Sequence, residues 1–316
     1  MMGNLLCFVA MLLGALSRGT VQSALLGLAL ASSMRLPRTV NYTVRQFTAL
    51  ESDMTSVERL LHISDLSKEP SHLQTPAPVD WKPNDGSICF TAVSMRYRPG
   101  LPLVLNDISF SLPHANKLGV CGRTGSGKSS LIQALFRLTT LETGSVVIGG
   151  IDIATVALRE LRGALSICPQ DPVIFSGTIA TNLDPFEEFE SAALSRACKQ
   201  VGLDYLTCDE LVQEGGSNFS AGTRQMLVLA RALLQSSKVL VLDEATSSIS
   251  PEIDARIQKV LAAQFANVTR VVIAHRLQTI MDADMILVIS NGRVAEVGPP
   301  NELLQNPSGA LTKLIN

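Results

Sequence analysis

The chain has 316 residues, enough for one large domain or two ordinary ones with a full core, so it needs no disulfide framework. Its net charge of −2 excludes a general attraction to nucleic acid, and its six scattered cysteines lack metal-ligand spacing and indicate reduced, cytosolic thiols. A charged fraction of 17% with a mean hydropathy of +0.26 is unusual for a wholly soluble protein and points to a membrane.

Two apolar runs open the sequence, at residues 5–16 and 24–34, with Arg18 between them. Each run is shorter than the roughly 20 residues that cross a bilayer. A cleaved signal peptide is the alternative, but no basic region precedes the first run. We therefore expect one or two partial transmembrane helices, the first run being the tail of one helix and the second run the start of another.

An amphipathic helical pattern follows from Arg35 to about Leu66, with Pro37 as a candidate kink where the chain leaves the membrane. A proline-rich polar stretch then predicts an extended linker. These changes divide the chain into three parts. Residues 1–66 are the predicted end of a transmembrane domain with a cytosolic extension, residues 67–85 the linker, and residues 86–316 a separate globular domain.

The globular part alternates strand-like and helical patterns. The stretches SICFTAVSMRY and VLNDISFSL alternate apolar and polar residues, as antiparallel strands do. Shorter apolar runs recur at KLGVCG, KVLVLD, RVVIAH and MILVIS, with helical stretches between them. This alternation predicts an α/β domain with a largely parallel sheet.

The stretch GRTGSGKSS, at residues 122–130, has the spacing G-x-x-x-x-G-K-[ST] of a phosphate-binding loop between a strand and a helix. Backbone N–H groups and the positive end of the next helix surround the phosphates in such a loop. We expect Lys128 to contact the β- and γ-phosphates and Ser129 to hold Mg²⁺. The other residues expected to contact the nucleotide are Gly122, Arg123, Thr124, Gly125, Ser126, Gly127 and Ser130.

Two residues outside this loop are candidates for contact with the nucleotide or its metal. Gln170 follows a strand in CPQDP, where its amide oxygen can reach the metal or the attacking water. A buried turn amide is the alternative. Tyr97 can stack on adenine, although an aromatic residue on a strand is more often a packing residue.

A second helix start lies in SNFSAGTRQMLVLARALL, where Ser220 is the predicted N-cap. Its exposed first residues, Ser220, Ala221 and Gly222, form a second anion-binding surface. One nucleotide cannot occupy two helix N-termini of a rigid domain unless they lie close together. We therefore expect this surface to serve a nucleotide held by another copy of the domain.

Two later strand ends carry residues typical of triphosphate hydrolysis. Asp243 ends KVLVLD, where a carboxylate can organise the water shell of the metal, and Glu244 can polarise the attacking water as general base. His275 follows RVVIA, where its imidazole can bind the γ-phosphate and orient Glu244. A lone histidine is usually structural, so its assignment depends on the order of these motifs along the chain.

In this order, the phosphate loop, CPQDPVIFSGTIATNLDPF, EGGSNFSAGTRQ, LVLDEAT and IAHR closely resemble the nucleotide-binding domain of ABC transporters. More narrowly, they resemble the second such domain of the multidrug-resistance-associated (C) subfamily. The resemblance runs from about Gly86 to the C-terminus and, more weakly, over the N-terminal helices. It implies a P-loop NTPase fold, with a RecA-like parallel sheet core, an antiparallel β subdomain and a helical signature subdomain.

The resemblance also implies function and partners. The cofactors would be ATP and Mg²⁺, and ATP hydrolysis would power export of organic anions, conjugates or drugs. Two nucleotide-binding domains would pair head to tail, so that Ser220 and Gly222 touch the ATP of the partner. Transmembrane domains are the other expected partners, with this domain on the cytosolic side of a multi-pass membrane protein. A chromosome or DNA-repair ATPase would carry a long coiled coil between Gln170 and Ser220, so we expect no nucleic-acid partner.

Three features depart from the family pattern. The usual L-S-x-G-Q is FSAGT here, with Phe219 and Thr223 at the changed positions; Ser250 replaces an aspartate; and the segment before EGGSNFS is short. A full exporter also needs two membrane domains and two nucleotide-binding domains, so we expect this chain to be a part or fragment of one. An ATP-binding regulatory module, or a truncated remnant with little turnover, is the second hypothesis.

Overall fold

The computed structural model describes residues 2–16, 23–66, 85–243, 251–274 and 277–315. The chain divides into two compact units, Met1–Pro70 and Ser71–Asn316. Almost all of the predicted linker, residues 67–85, lies outside the described residues, so the domain boundaries stay a prediction.

The first unit contains helix α1 at Met2–Leu16 and the long helix α2 at Ser23–Ser64. Helix α2 joins the second apolar run to the amphipathic pattern, which the sequence suggested as separate segments. The helix continues through Pro37, because the loss of one donated hydrogen bond does not end a helix whose other residues keep theirs. Within the described residues, no helix combines the length and the apolar content that crossing a bilayer requires.

The second unit mixes strands and helices in the predicted alternation. Its strands are β1 Ile88–Met95, β2 Leu105–Leu112, β3 Lys117–Cys121, β4 Leu141–Ile148, β5 Ile151–Asp152, β6 Leu165–Cys168, β7 Gly177–Thr178, β8 Leu211–Val212, β9 Val239–Asp243, β10 Thr269–Ile273, β11 Met285–Ser290 and β12 Arg293–Gly298. Its helices are α3 Lys128–Leu135, α4 Leu158–Ala164, α5 Ile179–Leu183, α6 Ser191–Gln200, α7 Ala221–Gln235, α8 Pro251–Gln264, α9 Pro300–Leu303 and α10 Ala310–Ile315.

An antiparallel sheet pairs its strands in the order β2, β1, β4, β5. The alternating apolar residues of β1 and β2 face one another, and the stacked rings of Phe90 and Phe110 have their centroids 4.7 Å apart. The sequence pattern therefore predicted both strands and their antiparallel pairing correctly.

The central sheet has the order β12, β11, β3, β10, β9, β6. Its strands run parallel except β12, which returns antiparallel beside β11. The carboxyl ends of β3, β10, β9 and β6 therefore meet at one edge of the sheet. This α/β arrangement confirms the predicted fold class and brings the phosphate loop and the other strand-end motifs to the same edge.

Successive residues of the central strands point into two different cores. Val239 and Val241 of β9 belong to a core shared with α3 and the antiparallel sheet. Leu240 and Leu242 belong to a second core, shared with α7 and α8. Because both faces of β9 are covered, its residues are apolar throughout until Asp243, where the strand reaches the functional edge.

Candidate functional site

The phosphate loop connects β3 to α3 and depends on glycine at three positions. Gly122, Gly125 and Gly127 have φ angles of 152°, 79° and 110°, which side-chain-bearing residues rarely adopt. At Gly122 there is also no room, since a Cβ atom would collide with the Ile289 carbonyl oxygen and lie 2.7 Å from Ser126 Oγ. The backbone can therefore curve closely around a ligand.

Lys128 begins α3 and folds back onto this loop. Its Nζ donates to the carbonyl oxygens of Gly122 at 2.9 Å and of Arg123 at 3.2 Å, and the residue is only 7% exposed. The N-cap, Gly127, offers no side-chain hydrogen bond to the first turn of the helix. A buried ammonium group and an uncapped helix N-terminus therefore lie at one place, which suits a phosphate group.

The hydroxyl residues of the loop differ in exposure. Ser129 is exposed and Ser130 is buried, with its Oγ 2.8 Å from the phenol oxygen of Tyr97. This hydrogen bond places the half-exposed Tyr97 ring beside the first turn of α3. Ser126 Oγ is buried and has no hydrogen-bond partner within the described residues, so its hydroxyl can still bond to a group that enters the loop. Arg123 and Thr124 are exposed.

Two other predicted site residues, Asp243 and Gln170, lie at or just after strand ends on the same sheet edge. Asp243 is half-buried at the end of β9, and Gln170 is exposed two residues after β6. Strand β10 lies between β3 and β9, so these two strands are about 10 Å apart. Glu244 and His275 lie outside the described residues, and Asp243 and Ala274 are the last described residues before them.

The donor set at this edge fits Mg²⁺. Ser129, Gln170 and Asp243 offer a hydroxyl, an amide oxygen and a carboxylate, all of them oxygen ligands of the kind Mg²⁺ prefers. Within the described residues, no group of three or more His, Cys, Asp or Glu side chains could hold a metal alone. Mg²⁺ is commonly held by one or two protein groups together with substrate phosphates, and this composition matches that pattern.

The start of α7 is capped by its own side chains. Ser220 accepts a hydrogen bond from the Thr223 N–H at 3.1 Å, and the two side-chain hydroxyls lie 2.9 Å apart. The phenol oxygen of Tyr205 lies 3.4 Å from Thr223 Oγ1. When Thr223 donates to Ser220, the Ser220 hydroxyl keeps its own proton for an outside acceptor. Ser220 is exposed and can meet such an acceptor.

The exposure of Gly222 differs from the sequence-based prediction, which placed this residue in an exposed helix start. The residue is buried, and a Cβ atom there would lie 2.7 Å from Ile253 Cγ2 of α8. Helix α7 packs directly on α8 at this point. The described structure therefore gives Gly222 a packing reason to be glycine.

Sequence reasoning missed Gln225, which is 1% exposed. Its Nε2 donates to Cys168 Sγ at 3.0 Å and to the Pro169 carbonyl oxygen at 3.2 Å. This side chain ties α7 to the segment that leads into Gln170. The available signal was a polar residue on the apolar face of α7, four positions before Leu229.

Two buried thiols lie beneath the site and remain neutral. Burial raises the pKa of Cys121, at the end of β3, to about 11, against an opposing contribution from the Lys128 charge. Burial also raises the pKa of Cys168 to about 12, with the Gln225 hydrogen bond acting in the opposite direction. Neither thiol supplies a nucleophile near neutral pH, so the candidate chemistry rests on oxygen and nitrogen groups.

Comparisons with known proteins agree with this geometry. A family profile described as ABC transporter matches residues 105–247. The ATP-binding cassette sub-family C member 2 of Rattus norvegicus is 41% identical over 314 residues, which cover 97% of this chain and 20% of that protein. The ABC transporter C family member 3 of Dictyostelium discoideum is 42% identical over 324 residues, covering 100% of this chain and 23% of that protein. The chain spans about a fifth of the length of these relatives.

A solved structure shows the same relationship in three dimensions. It is described as a bacterial Atm1-family ABC exporter with ATP bound, and it superimposes with a TM-score of 0.76 at 29% sequence identity. The match covers 99% of this chain and 56% of the exporter chain. Residues 105–247 are therefore an ABC transporter domain with a P-loop NTPase fold, and about 40% identity over nearly the whole chain relates it to the C-family ABC transporters.

Proposed function

We propose that this chain is the nucleotide-binding part of an ABC exporter, in which ATP binding and hydrolysis power the export of organic anions, conjugates or drugs. The observation that carries the proposal is the phosphate loop, where buried Lys128 lies against an uncapped helix N-terminus. The match to an ABC transporter domain implies ATP as the ligand of that loop.

The residues at the sheet edge have separate proposed roles in binding and hydrolysing one ATP. Lys128 and the first-turn N–H groups of α3 bind the β- and γ-phosphates. Ser129, Gln170 and Asp243 would hold Mg²⁺, which neutralises charge on the phosphate oxygens. Glu244 is the proposed general base for the attacking water. His275 is the proposed group that orients Glu244 and this water. Tyr97 is the residue proposed to stack on the base, and its hydrogen bond to Ser130 at the start of α3 supports this role.

The start of α7 serves a second nucleotide in this proposal. Ser220 is exposed, and its hydroxyl can donate outward while its oxygen caps the helix. A head-to-tail pair of nucleotide-binding domains would bring this hydroxyl to the phosphates of the partner. The similarity to an ABC exporter supports such pairing, together with transmembrane domains and a cytosolic position for this domain.

Steady-state ATP hydrolysis by the full chain, mixed with a nucleotide-binding domain from a C-family relative, tests the catalytic assignment. Glu244→Gln should lower hydrolysis about 100-fold or more while Mg-ATP binding is retained, because the general base is lost. Glu160→Gln, at an exposed acid on α4, is the matched control and should leave hydrolysis unchanged. Unchanged hydrolysis by a Glu244→Gln variant that still binds ATP would contradict the assignment.

A second candidate function is an ATP-binding regulatory module with little turnover. The observation that favours it is Thr223, which replaces the usual glutamine and turns its hydroxyl back onto Ser220 at 2.9 Å. Such a side chain reaches a shorter distance toward a partner nucleotide than glutamine does. ATP-dependent dimers that form but do not hydrolyse in the same assay would select this function.

A further inference from the structure

A cleft of about 320 Å³ lies between α8 and the central sheet. Its walls include Lys117, the first residue of β3, and Arg270, which pairs with Lys117 in the parallel register of β3 and β10. The phosphate loop leaves β3 at the opposite end, after Cys121, about 13 Å along the strand. We call this space the α8 cleft, and it is separate from the phosphate loop.

The inner surface of the α8 cleft is apolar. Leu242 of β9 and Val272 of β10 are register partners on neighbouring strands, and they are 5% and 4% exposed. Leu261 and Ala262 of α8 line the opposite wall, and Ala262 is exposed at the opening. A hydrocarbon group entering the cleft would therefore contact side chains already removed from water.

The charged groups of the cleft are mostly cations. Lys117 already has partners, because its Nζ lies 2.5 Å from Asp282 Oδ1 and donates to the Thr279 carbonyl oxygen at 3.0 Å. Within the described part of the chain, Lys259 and Arg270 have no carboxylate partner. Among the described residues that line the cleft, Asp282 is the one acid, and it pairs with Lys117, so these residues carry an excess of positive charge.

Arg270 has an unmet hydrogen-bonding requirement. Its Nε is buried, and no described residue accepts a hydrogen bond from it. A buried donor without an acceptor is destabilising, and native structures rarely leave one. The planar guanidinium group presents paired donors that match the two oxygens of a carboxylate.

We propose that the α8 cleft binds a small organic carboxylate. The carboxylate pairs with the Arg270 guanidinium, with Lys259 adding charge at the exposed opening, and the hydrocarbon part packs on Leu242 and Val272. Binding here requires no nucleotide, so this site and the phosphate loop can be tested separately.

Hexanoate is the probe, titrated into the full chain and followed by ligand-observed NMR with and without saturating Mg-ATP. We expect saturable binding that persists with Mg-ATP. Acetate, which lacks the hydrocarbon, and hexanol, which lacks the charge, should both bind at least tenfold more weakly. Displacement of hexanoate by Mg-ATP would assign it to the phosphate loop and overturn the proposal, as would equal binding of hexanol.

Two variants test the residues involved. Arg270→Gln should weaken hexanoate binding at least tenfold, whereas Arg196→Gln, at an exposed arginine of α6, should leave it unchanged. Ala262→Phe fills the opening from an exposed helix position without changing charge, and should abolish binding even if the first variant folds poorly. Hexanoate binding unchanged in folded Ala262→Phe protein would overturn the proposal.

Discussion

The start of α3 and the start of α7 differ in how the free backbone N–H groups of a helix N-terminus find hydrogen-bond partners. At α3 the N-cap is Gly127, in a left-handed conformation and without a side-chain hydrogen bond. At α7 the N-cap is Ser220, whose oxygen accepts the Thr223 N–H. The first end leaves its donors for a ligand, and the second satisfies one of them itself.

This difference indicates how the two ends depend on nucleotide. The α3 end gains hydrogen bonds only when an anion arrives, so its stability should follow ligand concentration. The α7 end is complete enough to fold without a ligand, and its exposed hydroxyl becomes useful only when a partner domain brings phosphate. The two ends can therefore be separated by measuring stability and ATP affinity in the same variants.

Among the changes that compare the two helix starts, Lys128→Met is expected to have the largest effect. Hydrogen bonds to charged groups contribute about 1.5–3 kcal/mol, so Mg-ATP affinity should fall about 10- to 100-fold in calorimetry of the full chain. Lys199→Met, at an exposed lysine of α6, is the matched control and should bind as the parent does. A folded Lys128→Met protein with normal affinity would remove Lys128 from the phosphate site.

Gly222→Ala should have the next largest effect, on the free energy of unfolding. The new methyl group would meet Ile253 Cγ2 at 2.7 Å, and overpacking of this kind costs about 1–3 kcal/mol. Gly163→Ala is the control, because nothing lies within 4 Å of a Cβ there and its helix α4 favours alanine. Urea unfolding measures the free energy of unfolding of both variants. Equal values for Gly222→Ala and Gly163→Ala would show that α8 shifts to accept the methyl group at little cost.

Ser220→Ala should cost about 1 kcal/mol of stability without nucleotide, and Ser220→Gly only a few tenths, because alanine cannot cap the helix. Neither change should alter Mg-ATP binding by the monomer. Ser129→Ala should do the reverse, leaving stability unchanged and weakening Mg-dependent binding. Thermal unfolding and calorimetry on the same samples test whether Ser220 affects stability and Ser129 affects ATP binding. Weaker ATP binding by the Ser220→Ala monomer alone would contradict this prediction.

The smallest effect concerns the buried thiols. The raised pKa values of about 11 for Cys121 and about 12 for Cys168 keep both neutral at pH 8, so iodoacetamide should label the partly exposed Cys89 and Cys208 first. Mg-ATP should slow labelling of Cys121 further, by a few-fold, and leave Cys168 unchanged in the monomer. Mass spectrometry of the labelled peptides measures this, and equal slowing at both thiols would contradict it.

The same thiols give a pH dependence with a definite sign. The unfolded thiols ionise near their ordinary pKa of 9.0, before the buried ones do. Their contribution to stability is therefore fully present below pH 9 and is lost as the pH rises through about 11 and 12. Urea unfolding of Cys121→Ala should show a weaker loss of stability over this range than the parent.

Local sequence patterns predicted the parts of the site that depend on local chemistry. The glycines and Lys128 of the phosphate loop lie within seven residues, and their spacing alone determines the turn and the helix start. The apolar runs similarly predicted β3, β9 and β10, because a strand covered on both faces has few alternatives. The roles of Glu244 and His275, which lie outside the described residues, stay predictions from motif order.

The features that sequence reasoning missed depend on distant packing. The burial of Gly222 depends on Ile253, and the role of Gln225 depends on Cys168 and Pro169, from a different part of the chain. No local sequence pattern indicates which residue from a distant part of the chain packs at a given position. The continuation of α2 past Pro37 also depends on more than the proline itself, because the residues on either side decide whether a helix continues.

The hydrogen bonds of Lys128 to its own loop bear on the entropy cost of nucleotide binding. A lysine side chain that moves freely loses up to about 2 kcal/mol of rotamer entropy when a ligand fixes it. Here the Gly122 and Arg123 carbonyl groups already confine the ammonium group before any ligand is present. An arriving triphosphate therefore meets a preorganised cation and exchanges partners with it, instead of gathering a mobile side chain.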